Sequence, residues 1–298
     1  MLPTKRVCTH HGLFHADDVF AVAALGRLFE VVIVRSRDPK VFGACDIRVD
    51  VGGEHDPEKM TFDHHQAGGA GVRPNGVPYA SFGLVWKCFG TQICCGDAKV
   101  ARMIDERLAQ TIDADDNGVL LSEPLFERAP GRSVDPYIVP SLIDALNPNW
   151  HEPKDYDAAF KRAVYFASVV LEREIKRAEG IVGAETDVRK AIAAAKDPRI
   201  LVLNYACPWQ EAVLAEAPQA LYVCYPSESG DWRVQAVPDA PDSFGMRQPL
   251  PAAWAGAAAA ELRRLTGLDD ITFVHNNLFI AAALSQASAL KMAELALA

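Results

Sequence analysis

Apolar residues first gather at Arg6-Val7-Cys8-Thr9, a short run that reads as a buried strand, and then recur at helical spacing through Val19, Phe20, Val22, Ala23, Leu25 and Leu28. A helix over 16–29 follows. Residues 31–34 predict a second strand, and 46–51 alternate apolar and polar positions as a third, stopped by Gly52-Gly53. Residues 66–78 are rich in Gly and Pro without periodicity, which predicts a mobile loop able to act as a lid. Helices are predicted over 80–89 and 97–110, and residues 111–118 read as a turn carrying three further carboxylates. Residues 136–146 and 155–178 also read as helices, the second with a buried stripe of Phe160, Val164, Phe166, Ala167, Val170 and Leu171.

From Pro198 the pattern changes to strands over 200–203, 221–225 and 232–237, a helix over 254–265, a strand over 271–274 and a closing helix over 285–297. The alanine-rich stretches at 191–195 and 255–260 read as helix. The expected class is therefore α/β: an N-terminal parallel-sheet domain over 1–150, a helical connector over 151–196 and a smaller C-terminal α/β domain over 197–298, where pairing is mixed or antiparallel. At 298 residues, half of them apolar, the chain has material for two cores.

Composition narrows the setting. There is no run of about 18 apolar residues and no apolar leader after Met1, so a soluble, cytoplasmic protein without a membrane partner is expected. Seven cysteines without paired spacing predict reduced thiols packed in the fold. The net charge of -9 argues against coating nucleic acid by bulk electrostatics, but not against gripping a polyanion locally with a few arginines beside bound cations.

Imidazoles and carboxylates collect where the predicted strands end: His10, His11, His15, Asp17 and Asp18 after the first, Asp50 after the third, and Asp63, His64 and His65 after the next extended piece. Asp113, Asp115 and Asp116 follow a helix. Six of the eight histidines fall within the first 65 residues. Any one of these residues is more often a helix cap or a satisfied surface group, with Asp17 and Asp18 the best caps, because they open a helix. Four loops carrying ligand types together point instead to a metal site. Mixed imidazole and carboxylate donors suit Mn, Zn, Fe or Co, and two ions about 3.5–4 Å apart would need roughly this many ligands. A zinc peptidase is disfavoured, since no His-Glu-x-x-His occurs.

The segments 9–17 (THHGLFHAD), 49–57 (VDVGGEHDP), 62–66 (FDHHQ) and 113–118 (DADDNG) resemble the four motifs of the melanocyte-proliferating-gene family, a branch of the DHH phosphoesterase superfamily. The resemblance extends through 146–150 (LNPNW), 207–209 (CPW), 232–235 (WRVQ) and 273–275 (FVH). It implies a DHH-type catalytic domain and a metal-dependent phosphoesterase that uses two Mn2+ ions, with Mg2+, Co2+ or Zn2+ as substitutes. RNA or a short oligonucleotide cut 3′ to 5′ would be the substrate, a cyclic dinucleotide or pyrophosphate the alternative, and a homo-oligomer is compatible with it.

By motif position, the resemblance gives His10, His15 and Asp50 to one ion, and Asp17, Asp50, His64 and either Asp113 or Asp116 to the other, with Asp50 bridging. His65 would face the phosphate and Asp63 would orient a neighbouring imidazole. His11 stands where the family has Asn, which leaves His10 and His11 as alternatives for the first ligand, the other being a phosphate contact. Arg35, Arg37, Arg247 and His275 are candidate substrate contacts. Two departures concern the C-terminal part: where the family has a Gly-Gly turn followed by basic and polar residues, this chain has Asn276 to Ala287 (NNLFIAAALSQA), and Ala255 stands where the family has an Arg. They raise the alternative of a binding or regulatory module that retains the metal site.

Overall fold

The computed structural model describes residues 1–122, 136–241 and 243–297. It opens with β1 (Thr4–Thr9), α1 (Ala16–Leu25), β2 (Glu30–Arg35), the short α2 (Pro39–Phe42), β3 (Ile47–Val49), β4 (His55–Asp56) and β5 (Thr61–Phe62). These strands form one sheet in the order β2-β1-β3-β5-β4, parallel except for the antiparallel edge strand β4. β1, β3 and β5 are therefore neighbours pointing the same way. Their carboxyl ends lie side by side, the place where open parallel sheets present their functional loops.

Helix α1 is buried at all ten positions, including Asp17 and Asp18. Burial on every side explains why its apolar residues form no narrow stripe. It packs with α3 (Ser81–Ile93), through Phe20 against Phe82 among others. α4 (Ala98–Ile104) runs through a π-helical turn at Asp105–Ala109 directly into α5 (Gln110–Asp116). Asp113 to Asp116, expected in a turn, thus occupy the last turn of a helix, which ends only at Asn117-Gly118. Ile112, Asp113 and Ala114 are buried there, so packing outweighs the local turn propensity of the Asp-Asn-Gly run.

The segment expected to be a mobile lid is tied down at Arg73. That side chain is buried, bonds both oxygens of Asp105 at 2.8 and 3.2 Å, and approaches Asp113 Oδ2 at 2.8 Å. Its guanidinium also lies 4.1 Å from the centroid of Tyr79.

α6 (Val139–Asp144) precedes α7 (Tyr156–Ala194), a single helix of 39 residues. The chain divides into two units within it, Met1–Ala178 and Glu179–Ala298. The early half of α7 packs Phe160 edge-on against Phe14 of the first unit, while Val188 joins an apolar cluster of the second with Leu201, Trp209 and Val223. The connector expected over 151–196 is thus shared out between two cores.

The second unit contains β6 (Ile200–Val202), α8 (Gln210–Glu216), β7 (Tyr222–Pro226), β8 (Trp232–Ala236), α9 (Ala259–Thr266), β9 (Ile271–Val274), β10 (Ile280–Ala283) and α10 (Gln286–Ala296). Its sheet order is β6-β7-β8-β10-β9, with only β6 and β7 parallel. Two expectations change here. The helix expected over 254–265 is a 3-10 turn, Ala252–Trp254, and then α9, because Ala255 leaves helical geometry at ψ 112°. Ala281, Ala282 and Ala283 form a fully buried strand between β8 and β9, where small side chains let the neighbouring strands and α10 close over them.

Close approach also fixes Gly83 in the first unit. A β-carbon there would lie 1.7 Å from Asp113 Oδ2 and 2.5 Å from Arg73 Nη2. Gly83→Ala is expected to cost about 3 kcal/mol, or roughly 6–12 °C in Tm, measured by calorimetry. An unchanged Tm would show that the Arg73-Asp113 pair can shift freely.

Candidate metal centre

β1 ends at Thr9 and hands the chain to His10. The loop from His10 to His15 is then held by its backbone: Arg35 Nη2 donates to Gly12 O at 2.8 Å and Arg37 Nη1 to His11 O at 2.6 Å. Asn147 brackets Phe14, accepting from its N–H at 3.1 Å and donating to its carbonyl at 2.9 Å. α1 begins just after this loop. Asp18 accepts from the His15 N–H at 3.0 Å and from Thr9 Oγ1 at 3.0 Å, so it closes the helix start, while its neighbour Asp17 is left with an unpartnered, buried Oδ1.

β3 ends at Val49 and is followed by Asp50, whose backbone adopts the left-handed conformation at φ 54°. That geometry is uncommon outside glycine and tends to persist where surrounding contacts over-determine it. Ser81 Oγ donates to Asp50 Oδ1 at 3.1 Å, and three imidazoles converge on the same carboxylate: His10 Nε2 at 3.2 Å, His64 Nε2 at 3.4 Å and His65 Nδ1 at 3.3 Å. The last two come from the segment just after β5. Asp63, next to them and buried, accepts from Gly53 N at 2.6 Å through one oxygen and meets His65 N at 3.0 Å and Nδ1 at 2.8 Å through the other.

The end of α5 adds Asp116, with Oδ2 3.1 Å from His64 Nε2 and Oδ1 3.9 Å from His15 Nδ1. Three overlapping groups of ligand atoms, each within 4.8 Å of one another, result: His10, His15 and Asp50; Asp50, His64 and His65; His15, Asp17 and Asp116. These groups could hold metal ions. The donors fit a cation in a second way as well, because the buried atoms His10 Nε2, His64 Nε2 and Asp17 Oδ1 make no well-aligned hydrogen bond, although the two nitrogens lie 3.2 Å from Asp50 and 3.1 Å from Asp116. Buried polar atoms are rarely left so, and a bound cation would satisfy all three.

The electrostatics point the same way. Burial, with Asp50, Asp116 and Asp18 adding repulsion, pushes the Asp17 carboxyl well above the usual carboxylate range. Asp18 is raised to about 6 by burial, against the pull of His10. Burial disfavours a charged His64, yet Asp116 and Asp50 raise it to about 10; His65 is raised to about 9 chiefly by Asp50. The pocket is thus an excess of buried negative charge that draws protons onto its imidazoles, and divalent cations would compete for the same positions.

The family model of the MYG1 exonuclease group, described as uncharacterised protein family UPF0160, matches residues 6–297. The chain is 33% identical to the Bos taurus "MYG1 exonuclease" over all of this chain and 86% of that protein, and 32% identical to the Homo sapiens "MYG1 exonuclease" over all of this chain and 87% of that protein. It is 34% identical to the Schizosaccharomyces pombe "MYG1 protein C694.04c", covering 98% of this chain and 97% of that one. The chain belongs to the MYG1 family.

Within this MYG1 site, the two alternatives left by the motifs occupy different places. Asp116 lies in the ligand cluster, whereas Asp113 is buried beneath it, accepting from Gly83 N at 2.9 Å and facing Arg73. His10 is buried in the cluster; His11 is exposed and uses its carbonyl to tether Arg37. Arg35 is committed to Gly12 O, Tyr156 O and Asp157, with its guanidinium 4.5 Å from the Phe160 ring centroid. Arg37 lines a cavity beside the cluster.

Arg247 and His275 belong to the second unit. Arg247 donates to Ala217 O at 2.7 Å and Ala220 O at 2.9 Å, and His275 Nδ1 accepts from Asn277 N at 3.0 Å. Sequence reasoning passed over Arg73, Ser81 and Gly83, which support the ligands from behind. The serine-aromatic-glycine start of a helix was their only signal, and nothing in it indicates a carboxylate packed against the glycine.

Two outcomes follow. Mn2+ at about 100 times its Kd is expected to add about 2.7 kcal/mol of stability, read as a rise in Tm that EDTA reverses and Asp50→Asn eliminates. Asp116→Ala should lower the Mn2+ stoichiometry with little loss of Tm, whereas Asp113→Asn should lower Tm by several degrees and leave the stoichiometry intact; the reverse pattern in elemental analysis and calorimetry would exchange their roles.

Proposed function

We propose that the chain is a metal-dependent phosphodiesterase of the DHH type that removes nucleotides from RNA or short oligonucleotides in the 3′ to 5′ direction, using two Mn2+ ions. The observation that carries the reading is Asp50, one buried carboxylate approached by three imidazoles at the junction of two ligand groups, as a bridging ligand requires. His10, His15 and Asp50 would hold one ion, and Asp17, Asp50, His64 and Asp116 the other. The "exonuclease" in the printed names of the bovine and human relatives supports a nucleic-acid substrate.

Bound divalent cations supply Lewis acidity at a phosphate and bring its nucleophile within reach of neutral pH. The chain's own residues do the rest. The Asp63 carboxylate orients the His65 ring through Nδ1, leaving Nε2 without a partner among the described residues. His65, whose side chain is 62% exposed, is then placed as a donor for a non-bridging phosphate oxygen, whose charge grows in the transition state. Asp18, Arg35 and Asn147 hold the His10 to His15 loop in place, so the ligands are positioned before substrate arrives. No disulfide joins cysteines among the described residues, in keeping with a reducing, cytoplasmic setting, and no helix among the described residues is long and apolar enough to cross a membrane.

Changing Asp63→Ala together with His64→Ala is expected to abolish Mn-dependent hydrolysis of bis-p-nitrophenyl phosphate, while Asp63→Ala alone should cost about 10–100-fold. Oligoribonucleotides labelled at one end report polarity: release of single nucleotides from the 3′ end is expected. Turnover of the ester by the double variant at the unmodified rate would remove these residues from the site. Hydrolysis of pyrophosphate or cyclic dinucleotides in place of oligonucleotides would reassign the substrate.

A further inference from the structure

Beside the ligand cluster lies an open cavity of about 380 Å³. That is within the range of small-ligand sites, which run from about 300 to 1,000 Å³. His10, His15, Asp50 and His65 line one part of it, and Arg37 and Phe42 another. Metal ligands account for the first part. The half-buried phenyl ring beside these titratable groups calls for its own explanation.

Phe42 ends the short helix α2, whose start is fixed by Asp38 accepting from Lys40 N at 2.9 Å. The guanidinium of Arg48 lies 5.8 Å from the ring centroid, and Arg48 is in turn paired with Glu54 at 3.3 Å. Gly52, at φ 105°, passes close by: a β-carbon on it would sit 3.5 Å from Phe42 Cε2. The ring is therefore braced by Arg48 and Gly52, and lines the cavity next to the ligands. Arg37 has a matching character. One nitrogen is tethered to His11 O at 2.6 Å, and among the described residues no carboxylate pairs with it, so most of its donors are free beside a site that would receive an anion.

Resting on the phosphodiesterase reading, we propose that this cavity seats the terminal nucleoside monophosphate unit of the substrate, with the base stacked on Phe42 and the phosphate between Arg37 and the metal ligands. Every base has a π-face, so a single aromatic wall grips any of them without reading sequence. This suits an enzyme that must accept each nucleotide in turn. A site built for phosphate or pyrophosphate alone has no use for the ring.

Equilibrium binding to the Mn-loaded protein tests the assignment without turnover, using calorimetry with adenosine 5′-monophosphate, uridine 5′-monophosphate and ribose 5-phosphate. Both nucleotides are expected to bind about 10-fold or more tightly than the base-free sugar phosphate. Phe42→Ala should reduce that ratio to near one and Phe42→Trp should retain it, whereas Arg37→Gln should weaken all three ligands by a similar factor. Equal binding of ribose 5-phosphate and the nucleotides, no binding of any of them, or a ratio that survives Phe42→Ala would overturn the proposal. Oligonucleotide hydrolysis by the unmodified protein judges the phosphodiesterase reading separately.

Discussion

Burying several carboxylates in one place is the constraint on which the first unit depends. Asp17, Asp18, Asp50 and Asp116 gather at the same end of one sheet, three of them almost without solvent. Like charges so close cannot all stay ionised without compensation, and the imidazoles of His10, His64 and His65 provide only part of it. Asp50 is held in a left-handed backbone conformation to complete the arrangement. Such a cluster would be a liability in a protein that did not bind cations, which is why the ligand geometry carries more weight than any one residue type.

Most nearby cations are used as structure. Arg35 and Arg37 each hold a backbone carbonyl of the His10 to His15 loop, and Arg73 holds Asp105 and Asp113 beneath the ligand shell. Arg37 alone combines such a tether with a place on the cavity wall. Loss of activity on changing Arg35 or Arg73 would accordingly report misplaced ligands, since replacing either leaves buried polar partners unsatisfied. The loop from 66 to 78 illustrates the same point, because its irregular backbone is anchored by one buried guanidinium.

The second unit has its own logic. Its sheet is largely antiparallel, and its core runs from Tyr222 and Val234 through the buried alanines of β10 to Met292 of α10. The residues from 276 to 287 are partly consumed by that sheet. Ala281 to Ala283 are strand interior and offer no side chain to a ligand. This stretch thus bears on how the unit packs.

Much of the architecture was legible in the sequence because short-range periodicity reports it directly. β1, β2, β3, α1 and α3 appear where the apolar spacing placed them, and the clustering of His and Asp after strands pointed to loops whose side chains the fold brings together. What the sequence by itself determined was the set of ligand types and their attachment to strand ends. Tertiary structure alone decided which of them meet. Asp113 and Asp116 lie three residues apart on one helix, yet one is drawn under the site by Arg73 and Gly83 and the other reaches His64. Asp17 and Asp18 are adjacent, yet one caps the helix and the other keeps an unpartnered oxygen. Neighbouring residues carry the same chemistry, and only the direction each faces in the folded chain, set by contacts distant in sequence, separates a ligand from a support.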